Sequence, residues 1–253
     1  MRSQFVEFTH QVGQHFPRLQ QLLDAPVRMR DVASAVRAYL LMVKQPNVTN
    51  TLELEQTMVK LATPADIEAA IGALRSHPRG RAMLDSRVLP KLPSTAELAN
   101  IPSGTLGHGY HSYMTQYQLS PDYYPSIDLT NDLQYFRLRM YQVHDFIHVL
   151  TGYQADYVGE IGIVGFTMAQ LDRHFGHPGR ILAFSTMLTT GMFLHGAVFA
   201  AETLPTFLTT FAEGWQRGQA AKSLFDVPWE EQLDQPLDAL RASYEIRPQT
   251  YLQ

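Results

Sequence analysis

Two histidines and two acids are the residues of this sequence with the clearest capacity for chemistry. His144 and His148 are four residues apart in a segment with helical periodicity, and Asp145 lies between them. Residues at positions i and i+4 share one face of a helix, so both imidazoles can reach the same metal ion. Asp145 lies about 100° further round the helix. From there it can bind the ion at the helix edge or orient a histidine.

Glu160 is the fourth candidate ligand, and it comes from outside this helix. Eleven residues separate it from His148, and the helix is expected to end at Thr151-Gly152. A second element can therefore bring the carboxylate back over the imidazoles. Nitrogen and oxygen donors without sulfur suit zinc or another borderline divalent ion. The alternative is that the histidines are ordinary capped or solvated side chains.

Composition limits the classes of protein that fit this chain. Of its 253 residues 45% are hydrophobic and 17% are charged, which is enough apolar material for a substantial core. The net charge is −4 without a long basic run, so we expect no nucleic-acid binding. The absence of cysteine excludes disulfides, thiolate zinc sites and cysteine nucleophiles. The first residues have neither the pattern of a signal peptide nor that of a transit peptide.

The run from Ile181 to Ala201 contains no charged residue and is long enough to cross a bilayer. One third of it is Ser, Thr, Gly or His, which is a poor composition for a surface that faces lipid. We therefore expect a buried central helix. Its small residues, among them Gly191 and Gly196, would let an apolar ligand approach closely.

The elements that must position these residues are predicted to be helices. Apolar residues at helical spacing predict helices over residues 4–24, 32–43, 52–61 and from Thr63-Pro64 to His77. Residues 1–85 thus form an N-terminal helical part. Residues 86–128 are rich in Pro, Gly and Tyr and predict an irregular covering segment over a ligand cleft, with a short helix near residues 110–117.

Residues 129–253 are predicted to form the metal- and lipid-binding core. Its central helix has one apolar stripe, made by Leu133, Phe136, Met140, Val143, Ile147 and Leu150. Helices are then expected from Glu160, over the uncharged run and over residues 206–221, with further helix starts at Asp226 and Asp234. No segment has convincing strand alternation. The fold class is therefore all-α, a single multi-helix domain with a central metal-binding helix and a buried apolar groove.

The motif His144-Asp145-x-x-His148-x(11)-Glu160 resembles the zinc motif of the ubiquinone (coenzyme Q) biosynthesis "Coq-four" family. Further similarity to that family runs from about residue 30 to residue 247. It includes Gly104-Thr105-Leu106-Gly107, His148-Val149-Leu150-Thr151-Gly152-Tyr153, Gly159-Glu160-Ile161, Gly214-Trp215-x-x-Gly218, Ala221-Lys222, Trp229-Glu230 and Pro236-Leu237-x-x-Leu240-Arg241. Ile147 stands where the family usually has tryptophan, a difference expected to alter packing and not ligation.

The resemblance implies an all-helical protein that binds a polyprenyl lipid or prenylated quinone precursor at a membrane surface. His144, Asp145, His148 and Glu160 would hold a divalent metal, with zinc as the expected ion. The implied activity is oxidative decarboxylation at ring carbon C1 of a prenylated hydroxybenzoate, with Glu160 or Asp145 moving protons. The implied alternative is a non-catalytic lipid-binding scaffold that organises other quinone-biosynthesis proteins.

Several further expectations concern the ligand and the location. Arg137 lies two helical turns before His144 and can hold an anionic head group or pair with a carboxylate. Gly191, His195 and Gly196 are expected to line the channel for the lipid tail. We expect a cytoplasmic protein, peripheral on the inner face of a bacterial membrane, and a homodimer. A phosphohydrolase that uses His111 and Asp172 with the His-Asp pair is a third hypothesis, against which the Glu160 spacing argues.

Overall fold

Helices account for nearly all the regular structure in the part of the chain that the structure describes. The computed structural model describes residues 29–120, 127–175 and 179–249, and within these ranges there is no strand. The helix predicted over residues 4–24 lies outside the described residues. The described α-helices are α1 Met29–Lys44, α2 Val48–Leu61, α3 Pro64–Ser76, α4 Pro78–Ser86, α5 Thr95–Leu98, α6 Leu106–Gln116, α7 Asp132–Thr151, α8 Tyr157–Phe175, α9 Gly179–Phe199, α10 Leu204–Ala220 and α11 Leu237–Ser243.

The long helix α7 carries the two histidines through the centre of the domain. Its first turn is capped by the side chain of Asn131, which accepts from the backbone N–H of Gln134. It ends at Gly152, whose φ of 78° is the left-handed conformation that glycine adopts without strain. Most of the predicted apolar stripe is buried, as Phe136, Val143, Ile147 and Leu150 show. The all-α prediction and the central helix are therefore confirmed.

Helix α8, which carries Glu160, packs closely against α10. Glycines of both helices form this contact, because a Cβ at Gly214 would collide with the carbonyl of Gly162 and one at Gly165 with that of Phe211. Backbones can approach this closely only where side chains are absent. The carbonyl of Gly218 also accepts from the buried amide of Gln170 at 2.8 Å. This packing fixes the position of α8 against α10.

The N-terminal helices begin and end at clear sequence signals. Helix α3 begins at Pro64 after the cap Thr63, as predicted, and Thr63 and Asp66 form a reciprocal capping box there. Helix α2 begins at Val48, four residues before the predicted start. The reason is Asn47, whose side chain accepts from the backbone N–H of Asn50 and caps the helix there.

The segment over residues 86–128 contains more helix than predicted. Besides the short α5, it forms α6, which is capped by Thr105 and fastened to the C-terminal part of the chain. The backbone N–H of Leu106 donates to the carbonyl of Gln235 at 2.9 Å, and that of Gly107 to Leu233 at 2.8 Å. Helix α6 packs on α7. Helix α6 corresponds to the short helix predicted near residues 110–117, and it begins four residues earlier.

Helix α9 departs from the expectation of a buried helix over residues 181–201. It ends at Phe199, and one of its faces is open to solvent, where Leu194, Val198 and Phe199 are 42%, 60% and 58% exposed. Thr189, Met192 and Gly196 lie on the opposite, buried face. None of the helices in the described ranges has the length and apolar composition that crossing a bilayer requires.

Candidate metal centre

Helices α7 and α8 bring three predicted ligands to one point. The Nε2 atom of His144 lies 3.5 Å from one carboxylate oxygen of Glu160, and that of His148 lies 3.3 Å from the other. All three donor atoms are within 4.8 Å of one another. Donors about 2.1 Å from a tetrahedral zinc ion are themselves about 3.4 Å apart. The separations therefore suit one small divalent ion.

The Nδ1 atom of each imidazole is held by a neighbouring oxygen. His148 donates from Nδ1 to the carbonyl of Tyr153 at 3.0 Å, and Nδ1 of His144 lies 3.2 Å from the Asp145 carboxylate. These partners accept hydrogen bonds, so they place the ring protons on Nδ1. The Nε2 lone pairs are then directed at the point that Glu160 faces. Metal-binding histidines are commonly oriented by such a partner.

The Nε2 atom of His148 gives a direct test of whether a cation fits. It is fully buried and has no hydrogen-bond partner among the described residues. Although Glu160 is 3.3 Å away, a lone pair and a carboxylate oxygen are both acceptors and cannot satisfy each other. A buried acceptor without a donor is costly. A divalent cation would satisfy both groups, so the residues fit a metal.

The charges in the cluster are strongly coupled. Burial lowers the pKa of His144, but hydrogen bonds with Asp145 and Glu160 outweigh burial and raise it to about 10. When the histidines are protonated and no metal is bound, burial likewise raises the pKa of Glu160, while the charge of His148 and the interactions with both imidazolium groups hold it well below its ordinary range. Glu160 is thus an ionised carboxylate that requires positive charge beside it. A proton on His144 or a bound cation supplies that charge.

Asp145 lies beside the three-donor cluster and does not belong to it. The donor atoms that converge are those of His144, His148 and Glu160, whereas the Asp145 carboxylate contacts the far nitrogen of His144. Of the two roles predicted from its place on the helix, this geometry corresponds to the orienting one. Asp145 is buried, at 8% exposure, so its charge also adds to the negative potential around the site.

Sequence reasoning missed Tyr113 as a component of the site. Its ring is stacked on the imidazole of His148, with ring centres 5.2 Å apart and an angle of 26° between the planes. Tyr113 belongs to α6, in the segment that was predicted to cover a cleft. The richness of this segment in tyrosine was the only available signal. Which tyrosine meets which histidine depends on how α6 packs on α7.

Arg137 is engaged elsewhere in the structure. Its Nε and Nη2 atoms donate to the two carboxylate oxygens of Glu55 at 2.8 and 3.0 Å, and Tyr141 also donates to Glu55. This corresponds to the second of the two predicted roles, pairing with a carboxylate. The pair links α2 to α7 in a partly buried position, with 15% and 13% of the two side chains exposed.

The residues predicted to line a lipid channel lie at helix contacts. A Cβ at Gly191 would collide with Met42 of α1, and a Cβ at Gly196 would lie 2.6 Å from the ring of Phe207 in α10. The Nδ1 atom of His195 donates to the carbonyl of Val43 at 2.8 Å. In this structure the small residues of α9 therefore allow neighbouring helices to pack against it.

The residues of the phosphohydrolase hypothesis are not brought to the centre. Within the described ranges, the candidate ligand cluster contains neither His111 nor Asp172. Asp172 is twelve residues after Glu160 on α8, about 18 Å along the helix, and it accepts from the amide of Gln219 at 3.0 Å. The geometry therefore favours the two-histidine, one-glutamate arrangement.

The fold and the site together define an all-helical protein with a candidate two-histidine, one-carboxylate metal centre between adjacent helices. Comparison with known families identifies the family to which the chain belongs. Residues 31–250 match the family described as "Coenzyme Q (ubiquinone) biosynthesis protein Coq4", which covers most of the chain. The chain therefore belongs to this family.

Individual relatives are similar at a moderate level. The chain is 28% identical over 214 residues to the mitochondrial ubiquinone biosynthesis protein COQ4 of Eremothecium gossypii, covering 78% of this chain and 59% of that protein. It is 28% identical over 199 residues to mitochondrial coq-4 of Neurospora crassa, covering 74% and 52%. The chain thus spans between half and two thirds of the length of these relatives.

A solved structure shares the fold. The crystal structure of a Nostoc punctiforme protein named for ubiquinone biosynthesis superposes with a TM-score of 0.69. The superposition covers 84% of this chain and 96% of the other, at 21% sequence identity. Similarity at this level of identity establishes the fold alone.

Proposed function

We propose that this protein acts in ubiquinone biosynthesis, where it binds a prenylated quinone precursor beside a divalent metal. We propose further that it catalyses oxidative decarboxylation at ring carbon C1 of that precursor. Family membership supports the pathway, because the family description and the names of the relatives specify it. The substrate and the reaction belong to the proposal.

One observation carries the enzymatic hypothesis, namely that among the described residues three protein donors converge and no fourth joins them. Structural zinc sites are closed by four protein ligands, whereas catalytic sites have three and leave a position for water or substrate. His144, His148 and Glu160 form such a set, and Asp145 is turned away from it. The side chains of His144 and Glu160 are 32% and 35% exposed, so the open side of the site can be reached.

The side chains of the site would have different roles in the reaction. When bound, the metal supplies Lewis acidity toward a carboxylate or phenolic oxygen of the substrate. His148 is fully buried and fixes the inner side of the site, while His144 and Glu160 border its open side. Asp145 holds the Nδ1 proton of His144. Glu160, where it is not fully occupied by the ion, can accept a proton from a phenolic group.

The oxidative part of the reaction restricts which metal ion can take part in it. Replacing a ring carboxyl group by hydroxyl and releasing CO2 removes two electrons, which an external oxidant such as dioxygen must accept. Zinc has no redox chemistry, although it can still polarise the substrate. Two histidines and one carboxylate are also the ligand set of non-haem iron(II) oxygenases. We therefore propose a divalent ion, with zinc expected from the family motif and iron as the alternative that the oxidation favours.

A membrane surface is the proposed location of the reaction, because prenylated precursors reside in lipid. The exposed apolar residues of α1 and α9 support this location, among them Leu40 at 57% and Val198 at 60% exposure. We propose a peripheral protein, with the cytoplasmic side of a bacterial membrane expected from the sequence and mitochondria named for the relatives. Other quinone-biosynthesis proteins and a second copy of the chain are the proposed protein partners.

The experiment that tests the function compares His148→Ala with the unchanged protein in cells that lack their own copy of this family. Quinone and its accumulated precursors are measured by mass spectrometry of lipid extracts. The enzymatic hypothesis expects loss of quinone and accumulation of the C1-carboxylated precursor, with the variant still folded. Normal quinone with His148→Ala would reject catalysis at this site and support the alternative, a lipid-binding scaffold.

A further inference from the structure

Two tyrosines of α6 make the same kind of contact with α7. The ring of Tyr113 is stacked on His148, and the ring of Tyr110 is stacked on Phe146 with centres 4.6 Å apart and 25° between the planes. All four side chains are buried, with Tyr113 the most exposed at 9%. The two contacts have similar interplanar angles, and they differ in function. One of the rings beneath is a candidate metal ligand.

The hydrogen bond between His148 and the backbone does not prevent every rotation of the imidazole ring. The hydrogen bond from Nδ1 to the carbonyl of Tyr153 sets the tautomer and one point of the ring. Rotation of the ring plane about that point would still swing Nε2 away from Glu160. A flat ring stacked on one face opposes this rotation, because tilting would either open a gap or force the rings together.

We infer that Tyr113 is a positioning residue of the metal centre, whose ring holds the imidazole of His148 in the orientation that directs Nε2 at the ion. The inference rests on the proposed metal site and extends it to the covering segment. It means that metal affinity depends on the docking of α6, a helix that supplies no ligand. The aromatic ring carries this role, and the hydroxyl group does not.

The surroundings of Tyr113 agree with a neutral, fixed ring. Burial, and after it the negative charges of Asp145 and Glu160, raise the pKa of its phenol far above the ordinary value. The hydroxyl therefore keeps its proton and adds no charge beside the ligands. The ring also contacts Tyr117, with centres 5.1 Å apart at 57°. Tyr113 thus has a second aromatic contact besides that with His148.

Three variants separate the ring, the hydroxyl and general packing. Tyr113→Leu removes the flat ring, Tyr113→Phe keeps it without the hydroxyl, and Tyr110→Leu makes the same deletion above Phe146. Zn²⁺ and Co²⁺ affinities are measured by competition with a chelator on folded protein, and the visible spectrum of bound Co²⁺ reports the ligand geometry. Should Tyr113→Leu fail to fold, Tyr113→Met fills the volume without a flat ring.

The inference expects Tyr113→Leu to bind Zn²⁺ about ten- to hundredfold more weakly, the range typical of groups that orient metal ligands. Its Co²⁺ spectrum should change as well. Tyr113→Phe and Tyr110→Leu should bind within about threefold of the unchanged protein. Unchanged affinity in Tyr113→Leu would overturn the inference. So would an equal loss in Tyr110→Leu, which would indicate general packing, or in Tyr113→Phe, which would indicate the hydroxyl.

A second measurement distinguishes this inference from the proposed metal site. If the unchanged protein binds no metal, the metal site is wrong, and the stacking can still be tested on metal-free protein. The NMR signals of the His148 ring should then move on Tyr113→Leu, since an aromatic ring above a proton shifts its resonance. They should stay in place on Tyr110→Leu. Unmoved His148 signals in Tyr113→Leu would reject the positioning role in either case.

Discussion

At the scale of single residues, the centre is defined by what holds the far side of each imidazole. His144 is held by a carboxylate and His148 by a backbone carbonyl, so the two ligands differ in how easily mutation can disturb them. No side-chain substitution removes the carbonyl of Tyr153. Asp145 can be replaced, and its replacement decides whether it is a ligand or an orienting group.

We predict that Asp145→Asn retains one metal ion per chain and binds it about ten- to hundredfold more weakly. The amide can turn its NH2 toward Nδ1 of His144 and so disfavour the tautomer in which Nε2 is free. Glu160→Gln, which removes a converging donor, should abolish stoichiometric metal. Elemental analysis gives the stoichiometry and chelator competition the affinity. Equal loss of metal in both variants would indicate that Asp145 is itself a metal ligand.

At the scale of helices, the position of Glu160 depends on the glycine contact between α8 and α10. A Cβ at Gly214 would meet the carbonyl of Gly162, which is backbone and cannot turn aside. We predict that Gly214→Ala lowers the free energy of unfolding by about 1–3 kcal/mol, the cost typical of overpacking. Thermal and urea unfolding of the two proteins measure this difference.

The control for that substitution is Gly72→Ala in α3. A Cβ at Gly72 has no atom within 4 Å, and the residue is exposed in a helix interior. Alanine there should stabilise the protein by up to about 1 kcal/mol, because it is the better helix former. If both substitutions changed stability in the same direction, close packing of α8 on α10 would not be the explanation.

An ion cluster joins α3 and α4 to the start of α7. Asp132 accepts from Arg75 at 2.6 Å and from Arg87 at 2.7 Å, and only 14% of its side chain is exposed. Burial raises the pKa of Asp132, but these hydrogen bonds outweigh burial and hold it below its ordinary value. The folded state therefore binds this proton more weakly than the unfolded chain. Its contribution to stability is present above the unfolded pKa of about 3.9.

We predict that Asp132→Asn lowers the free energy of unfolding by roughly 1 kcal/mol at pH 7, through the loss of charged hydrogen bonds. The difference from the unchanged protein should shrink as the pH falls from about 4 through the lower pKa of the folded state. Urea unfolding at a series of pH values measures it. Asp85→Asn serves as the control, since Asp85 binds the same Arg75 from a position 58% exposed. A difference that grew toward low pH would contradict the assignment.

Sequence patterns predicted the parts of this architecture that depend on neighbours along the chain. Caps at Thr63 and Gly152 and the stripe of α7 are local features, and the histidine pair follows from helical spacing alone. Such patterns do not specify which distant segments contact each other. Glu55 and Arg137 are 82 positions apart, and nothing in either segment specifies the other as its partner. The stacking of Tyr113 on His148 is another contact between distant segments, so the sequence pattern did not predict it.

Helix α9, which contains most of the uncharged run from Ile181 to Ala201, shows most clearly how local patterns fall short. Its composition indicated burial, and its glycines indicated a ligand channel. In the structure Gly191 and Gly196 admit Met42 and Phe207 of neighbouring helices, while another face carries apolar side chains into solvent. Composition established only that the helix carries no charge after Arg180. Only the packing of α1 and α10 determined which of its faces was left open.

At the scale of the whole molecule, two helices that pack together, α1 and α9, both expose apolar side chains. Met42 and Val43 of α1 contact Gly191 and His195 of α9. Helical spacing places four exposed residues beside this contact, namely Val36 and Leu40 of α1 and Leu194 and Val198 of α9. We call these four residues the apolar face. Arg30 and Lys44 are also exposed on α1. Apolar side chains flanked by basic ones suit a surface of anionic lipid.

We predict that the protein binds vesicles containing anionic lipid and that Leu194→Glu and Leu40→Glu each weaken this binding at least about tenfold. Removing one leucine from an apolar environment costs about 1.5–3 kcal/mol, which corresponds to a factor of ten or more. Flotation with vesicles of phosphatidylcholine and phosphatidylglycerol measures the bound fraction. Metal affinity should be unchanged in both variants, because neither residue contacts His144, His148 or Glu160.

The matched control is Ala242→Glu, which adds the same charge at an exposed position of α11, a helix that packs against α7. It should bind vesicles as the unchanged protein does, apart from a small electrostatic loss. Sedimentation in the absence of lipid tests the alternative that a second copy of the chain covers the apolar face. If Leu194→Glu converts a dimer to a monomer and leaves vesicle binding intact, the face joins two copies of the chain. Membrane binding would then have to come from another surface, and the prediction would be wrong.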